Sequence, residues 1–207
     1  MSAIKNRSSE NLPLVVAITG ASGVAYGQRL VETLLRTDVQ VHLTISQSGK
    51  LVLQHEMGID VDLENFKLSQ LVPGASETDQ VRYHHHGDFM TPIASGAHKT
   101  RAMVVCPCSG STMSGIATAA SRNLIQRAAD VHLKERRPLI LVPRETPLSQ
   151  IQIENMLKTS QAGATILPAS PGFYHEAQSI DDMINFIVAR ILDHLDIQHD
   201  LIKRWGS

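Results

Sequence analysis

Short apolar runs alternate along this chain with stretches of helical periodicity, and that alternation restricts the fold more than any other feature. Leu14-Val15-Val16-Ala17-Ile18 reads as a strand buried on both faces. Met103–Cys106, Leu139–Val142 and Ala164–Leu167 are three further buried-strand candidates. Val39, Val41, Leu43 and Ile45 alternate with Gln40, His42 and Thr44, the period of a half-buried strand. Amphipathic stretches lie between them, near Ala25–Arg36, Ser48–Met57, Ser109–Ala120, Leu124–Arg137, Ser149–Ala162 and Ser179–Leu195. Strand followed by helix, repeated, builds an α/β protein: a doubly wound parallel sheet covered on both faces. At 207 residues the chain suits one domain, residues 13–207, behind a polar and flexible N-terminal extension over residues 1–12. Segment Ile59–Thr100 is the least regular part.

Charge adds exclusions. Nineteen basic against twenty acidic residues leave a formal net charge of −1, so nothing global invites nucleic acid or an anionic membrane. No apolar run approaches the ~20 residues that span a bilayer, and no charged-then-apolar leader opens the sequence. A reducing cytoplasm is the expected compartment. Cys106 and Cys108, one residue apart, are too close for an easy mutual disulfide and match no zinc spacing. They read as buried packing groups.

In such a sheet, ligands sit beyond the carboxyl ends of the strands, where the strand order reverses. The residues after each run are therefore the ones to inspect. Thr19-Gly20-Ala21-Ser22-Gly23 allows a tight turn and close backbone approach, and the amides opening the next helix suit a phosphate. The same turn also serves as a plain strand-to-helix connection. It lacks the Gly-Lys-Ser/Thr of a P-loop. Ser22 and Ala25 break the dinucleotide fingerprint, and Val24 and Tyr26 replace the glycines of a short-chain dehydrogenase. After the second run stands Ser46, where NAD proteins place an acid. Ser109-Gly110-Ser111-Thr112 offers hydroxyl donors at another strand-to-helix junction, or simply a helix cap.

Arg127 and Lys134 are seven apart on one helix face. Arg144 and Glu145 sit between Pro143 and Pro147, directly after a buried run, and Arg190 lies on the last helix. Tyr174 follows the final strand. His84-His85-His86 and His98 complete no metal spacing and read as an exposed loop. Glu56, near the end of the second helix, reads as a surface carboxylate on its own.

Taken together, Thr19–Gly23 with Tyr26-Gly27, Pro107-Cys108-Ser109, Arg127–Val131, Leu133–Leu139, Val142–Pro147, Pro171–His175 and Arg204-Trp205 resemble the UbiX/Pad flavin prenyltransferase family. The resemblance runs from about Leu14 to Trp205, and the Lys134–Leu139 and Pro143–Pro147 blocks are its most specific parts. It implies a flavodoxin-like (Rossmann-like) sheet and a homo-oligomer, often a dodecamer. The implied chemistry joins the prenyl group of dimethylallyl phosphate to reduced FMN without a metal. Its product, prenylated FMN, serves UbiD-type decarboxylases, including those of ubiquinone biosynthesis.

The resemblance assigns FMN contacts to Gly20, Ala21, Ser22, Ser46, Ser109, Gly110, Ser111, Thr112 and Arg127. It assigns dimethylallyl phosphate contacts to Lys134, Arg144, Glu145, Tyr174 and Arg190, some from neighbouring subunits, and proton handling to Ser22 and Glu56. The Ser109–Thr112 block departs from the commoner Ser-Thr-Gly-Thr, and Ile59–Thr91 carries little of the family pattern. Two other readings are a non-catalytic FMN carrier or regulatory subunit and a flavin-dependent cysteine decarboxylase. The latter carries Pro-x-Met-Asn, whereas this chain has Pro143-Arg144-Glu145-Thr146.

Overall fold

The computed structural model describes residues 12–173 and 177–202. Of the expected extension over residues 1–12, only Leu12 falls within that range. The six described strands are β1 (Leu14–Ile18), β2 (Val41–Ile45), β3 (Val81–Tyr83), β4 (Ala102–Cys108), β5 (Leu139–Pro143) and β6 (Thr165–Ile166). All pair in parallel, in the order β3-β2-β1-β4-β5-β6. Helices α1 (Val24–Leu34), α2 (Gln47–Met57), α3 (Leu68–Leu71), α4 (Gly110–Ala117), α5 (Leu124–Lys134), α6 (Gln150–Gln161) and α7 (Ile180–His194) cover the sheet. Without the short edge strand β3 this is the flavodoxin order; β3 extends it to the Rossmann order. The expected doubly wound α/β domain is borne out.

Period-two alternation sorts the core into two layers. Leu14, Val16 and Ile18 of β1 join α1, α7, α2 and α3 on one face through Leu30, Leu34, Leu53, Leu71, Ile187 and Ile191. Val15 and Ala17 join α4 and α5 on the other through Met113, Ile116, Leu124, Ile125 and Ala128. Each fully buried Leu or Ile of these layers contributes ~1.5–3 kcal/mol relative to exposure. Side chains fix the helix starts: Ser46, Ser109, Asn123, Ser149 and Ser179 each accept an amide hydrogen bond from the first turn of the helix they cap. Gly58, at φ 67°, ends α2 in the left-handed region that glycine enters without penalty.

One expectation changes. Strand β2 is buried along its whole length, not half-exposed. Its polar residues His42 and Thr44 are both buried, His42 against His84 and His98 of residues 84–101, which carry the chain from the outer edge strand β3 across the second face to β4. That crossing segment has only a single 3-10 turn, Pro92–Ala94, and so shows no helical period in the sequence. The three-residue β3 inside the irregular segment is likewise too short to announce itself.

Candidate functional site

The strand order reverses between β1 and β4, and the two strand ends are tied there by one side chain. Thr19, fully buried, donates from Oγ1 to the Pro107 carbonyl at 2.7 Å and accepts from the Ser109 amide at 2.8 Å. Around this link the loops pack without slack. A Cβ on Gly20 would lie 2.3 Å from Ser48 Cβ, and one on Gly27 would lie 2.2 Å from the Cys106 carbonyl oxygen. Gly23 precedes α1 at φ 94°, with the Tyr26 ring where its side chain would be.

Helix α1 has no cap of its own. Glu56, from the far end of α2, supplies it: Oε2 accepts from the Gly23 amide at 2.9 Å and the Val24 amide at 3.3 Å. A carboxylate at a helix N-terminus is favoured by the unsatisfied amides and the helix dipole. The sequence suggests an external phosphate at the start of α1; here the anion on those two amides belongs to the chain. Glu56 is thereby more than a surface carboxylate. Arg144, one residue past β5, reaches across to donate from Nε to the Ser22 carbonyl at 3.1 Å. Ser22 is thus held between Arg144 and the amide bonded to Glu56, with its own residue exposed and Ala21 buried beside it.

Two hydroxyl turns flank this point. Ser46 caps α2, accepting from the Gly49 amide at 2.9 Å, while its own amide donates to the Ile18 carbonyl. At α4, Ser109 Oγ lies 3.0 Å from Thr112 Oγ1 and 3.2 Å from Ser111 Oγ, a group of three hydroxyls at a helix start. Glu145 accepts from Gln152 Nε2 at 3.3 Å, and that amide lies against Gly110. Arg144 and Glu145 border a cavity of about 130 Å³ whose apolar wall includes Leu148, Met156, Pro168 and Ala169. The hydroxyls of Ser109, Ser111 and Thr112 and the Arg144 guanidinium are donors suited to an anionic group.

Sequence-assigned residues divide into two groups. Gly20, Ala21, Ser22, Ser46, Glu56, Ser109, Gly110, Ser111, Thr112, Arg144 and Glu145 gather at the carboxyl ends of β1, β2, β4 and β5. Arg127, Lys134 and Arg190 do not join them within one chain. Arg127 bonds the Ala94 carbonyl at 3.1 Å and Asp130 at 3.0 Å on the second face. Lys134 ends α5, where the chain turns back to enter β5, and pairs with Glu135 at 2.7 Å. Seven-residue β4 alone is ~20 Å long, so this edge of the sheet is far from the opposite one. Arg190 pairs with Asp193 on α7, which packs on the first face. Tyr174 lies outside the described residues.

Gln152 had no place in the sequence reading, and Thr19 and Tyr26 entered it only as members of the glycine-turn motif, without a role of their own. Tyr26 follows the turn by three residues, and its phenol is raised above its ordinary pKa by burial and then by Cys106, against the opposing charge of Arg144. Burial also raises both cysteine thiols, Cys108 to about 12, in keeping with packing roles. The histidine run departs from an exposed loop: His84 is buried against His42, because residue 84 turns inward at the end of β3. Among the described residues, no group of three or more His, Cys, Asp or Glu side chains is arranged to hold a metal ion.

The Flavoprotein family model matches residues 2–192. Flavin prenyltransferase UbiX of Pseudomonas aeruginosa is 48% identical over 197 residues, covering 94% of each chain. The chain belongs to the flavin prenyltransferase UbiX family. Membership makes it a flavoprotein and an enzyme of the prenyltransferase class, not a carrier. Among solved structures, AnUbiX (PadA1) in complex with FMN and dimethylallyl pyrophosphate is 38% identical with TM-score 0.84, covering 95% of this chain and 98% of that one. The dodecameric FMN-dependent UbiX-like decarboxylase of Escherichia coli O157:H7 is 36% identical with TM-score 0.85, covering 95% of this chain and all of the other.

Proposed function

We propose that this chain joins the dimethylallyl group of dimethylallyl phosphate to N5 and C6 of reduced FMN, releasing inorganic phosphate and prenylated FMN. The observation that carries the reading is the bridge over the Ser22–Gly23 turn, with Glu56 on its amides and Arg144 on its carbonyl. A base at the end of α2 and a cation just past β5 are thereby held on one turn of chain. FMN, as substrate, supplies N5 as nucleophile and a ring carbon for closure.

The chain's residues supply the rest. Gly20, Ala21, Ser22, Ser46 and the Ser109–Thr112 turn hold the flavin and its phosphate. Glu56 removes the proton left by the second bond, with Ser22 as relay. Arg144, Lys134 and Arg190, with Glu145 and Tyr174, orient the leaving phosphate, whose developing charge needs fixed cations and donors. These cations make the reaction metal-independent in this reading.

Lys134 and Arg190 sit on opposite faces, so they complete a site with Arg144 only if neighbouring subunits contribute them, as Arg127 is contributed to the flavin. Exposed apolar side chains support a homo-oligomer, which we take to be a dodecamer. Ile151, Ile153 and Leu157 of α6 are 70%, 52% and 56% exposed, and Leu51 of α2 is 61% exposed. The product would pass to a UbiD-type decarboxylase, in the cytoplasm, for ubiquinone biosynthesis. Incubating the purified protein anaerobically with reduced FMN and dimethylallyl phosphate tests the activity. Mass spectrometry is expected to find flavin heavier by one prenyl unit, and recovery of unmodified FMN alone would refute the reading.

A further inference from the structure

The second face of the sheet carries a polar cluster that the proposed chemistry does not use. His42 of β2 is 7% exposed and His84, at the start of the crossing segment, is 5% exposed. His42 Nδ1 lies 2.6 Å from His84 Nε2, with the rings stacked at 4.8 Å between centroids. His42 Nε2 lies 3.4 Å from Nε2 of His98, near the other end of the segment, and those rings meet edge to face. One histidine of the sheet thus fastens both ends of the strap that crosses it.

Proton counting shows how such a chain of rings behaves. Each of the two nitrogen–nitrogen contacts accommodates one hydrogen, and the outer nitrogens of His84 and His98 one each. Three neutral rings already carry three hydrogens, so the cluster takes up one more with its contacts intact and no second. The 2.6 Å spacing is that of a hydrogen bond, whereas two imidazole nitrogens sharing a metal at ~2.0–2.1 Å each would stand farther apart. Charge around the rings also opposes protonation. Arg82 of β3 acts on all three, Arg137 acts on His98, and Asp88 of the strap is the opposing carboxylate at His84. Burial, the largest cause, and these neighbours hold His42 and His84 at about 4.

The strap itself bears on residues of the proposed site. Its Ala94 carbonyl accepts from Arg127 Nε. Gly96 and His98 carbonyls accept from Arg137 at 2.5 and 2.7 Å. Gly96 also packs so closely that a Cβ would meet Glu135 Oε1 at 2.2 Å and Lys134 Nζ at 3.0 Å. The Leu124 amide donates to the His86 carbonyl, and Thr100 Oγ1 meets His132 Nε2 at 2.9 Å. Helix α5 therefore lies on the strap at its start, middle and end.

We propose that His42, His84 and His98 form a proton-operated latch on residues 84–100, and that they are positioning residues for Arg127 and Lys134. The latch stands on the cluster alone; its effect on ligands rests on the roles proposed above. Released from the cluster, the histidines return to the ordinary value of 6.5, so opening takes up protons. The latch is closed above pH 6.5 and loosens as pH falls from there toward 4. Each histidine that gains a proton on opening raises the opening constant about tenfold per pH unit in that window.

Hydrogen exchange on the assembled full-length protein, from pH 7.5 to 5, tests this once rates are corrected for intrinsic exchange. Residues 84–100 are expected to lose protection about thirtyfold or more on acidification, while β1 and β4 hold theirs. His84→Gln, which keeps a hydrogen-bonding group without the charge, is expected to flatten that slope by about tenfold per unit. If that variant fails to fold, the half-exposed His98→Gln is expected to flatten it as well. A pH-independent strap in the wild type, or an unchanged slope in the variant that folds, overturns the latch. FMN affinity at pH 7.5 and 5 provides the second readout, since the ligand's own titration cancels between wild type and variant. A larger loss in the wild type supports the positioning role, and equal loss in both overturns it. Absence of prenylated product alters neither comparison.

Discussion

Glu56 carries two tasks in this fold, helix cap and proposed base, and they separate experimentally because the cap needs an oxygen while the base needs a charge. Glu56→Gln keeps an acceptor for the Gly23 and Val24 amides; Glu56→Ala removes it. Loss of an N-terminal cap costs ~0.5–2 kcal/mol, and the exposed setting of this one places it near the lower half, ~1 kcal/mol. Neutralising the charge while keeping the bonds costs ~0.3–1 kcal/mol. For a chain of this size ~1 kcal/mol lowers Tm by about 2–4 °C. General-base catalysis is worth ~10²–10⁴ in rate. Both variants are therefore expected to melt within a few degrees of wild type, at equal protein concentration, and both to lose prenylated flavin formation by that larger factor. Single-turnover assays with reduced FMN and dimethylallyl phosphate would follow the second bond. Near wild-type turnover in Glu56→Gln beside a slow Glu56→Ala would show a carboxylate that only caps α1.

Thr19→Val is expected to cost ~1–3 kcal/mol, because it leaves the Pro107 carbonyl and Ser109 amide without their buried partner, and to weaken FMN binding. Urea titration and flavin fluorescence would check it, and unchanged values would mean the switch-point link is not structural. Gly27→Ala places a Cβ 2.2 Å from the Cys106 carbonyl, so α1 must move off β4; soluble protein of wild-type stability in a denaturation assay would contradict that packing. Cys106 and Cys108, buried with raised thiol pKa, are expected to resist alkylation at pH 8 until the protein unfolds. Rapid labelling of the folded protein, read by mass, would show the β4 end to be open.

How far the sequence reaches depends on whether a feature is local. Runs such as Leu14–Ile18 and Leu139–Val142 declare buried strands because a central parallel strand needs apolar side chains on both faces. Caps such as Ser109 and Ser179 are visible because the residue that satisfies the first amides precedes the helix it starts. The glycine turn and the blocks at Lys134 and Arg144 point to the family for the same reason: each is contiguous in the chain. β2 escapes this logic. Its alternation with His42 and Thr44 is that of a half-buried strand, yet both polar residues are buried and His42 joins the strap in a histidine cluster.

Contacts between distant segments left no trace in periodicity or spacing; only the family resemblance set Glu56 beside Ser22. Glu56 reaches Gly23 across 33 positions, Thr19 reaches Pro107 across 88 and Arg144 reaches Ser22 across 122. No period or motif encodes those separations; they arise from the order in which parallel strands are laid beside β1. The same topology sends Arg127, Lys134 and Arg190 away from the turn that the sequence groups them with. Local chemistry thus set the elements, their caps and the kinds of residue at each strand end. Which of those residues meet was settled by the crossovers, because a parallel sheet brings together the ends of strands that the chain keeps far apart.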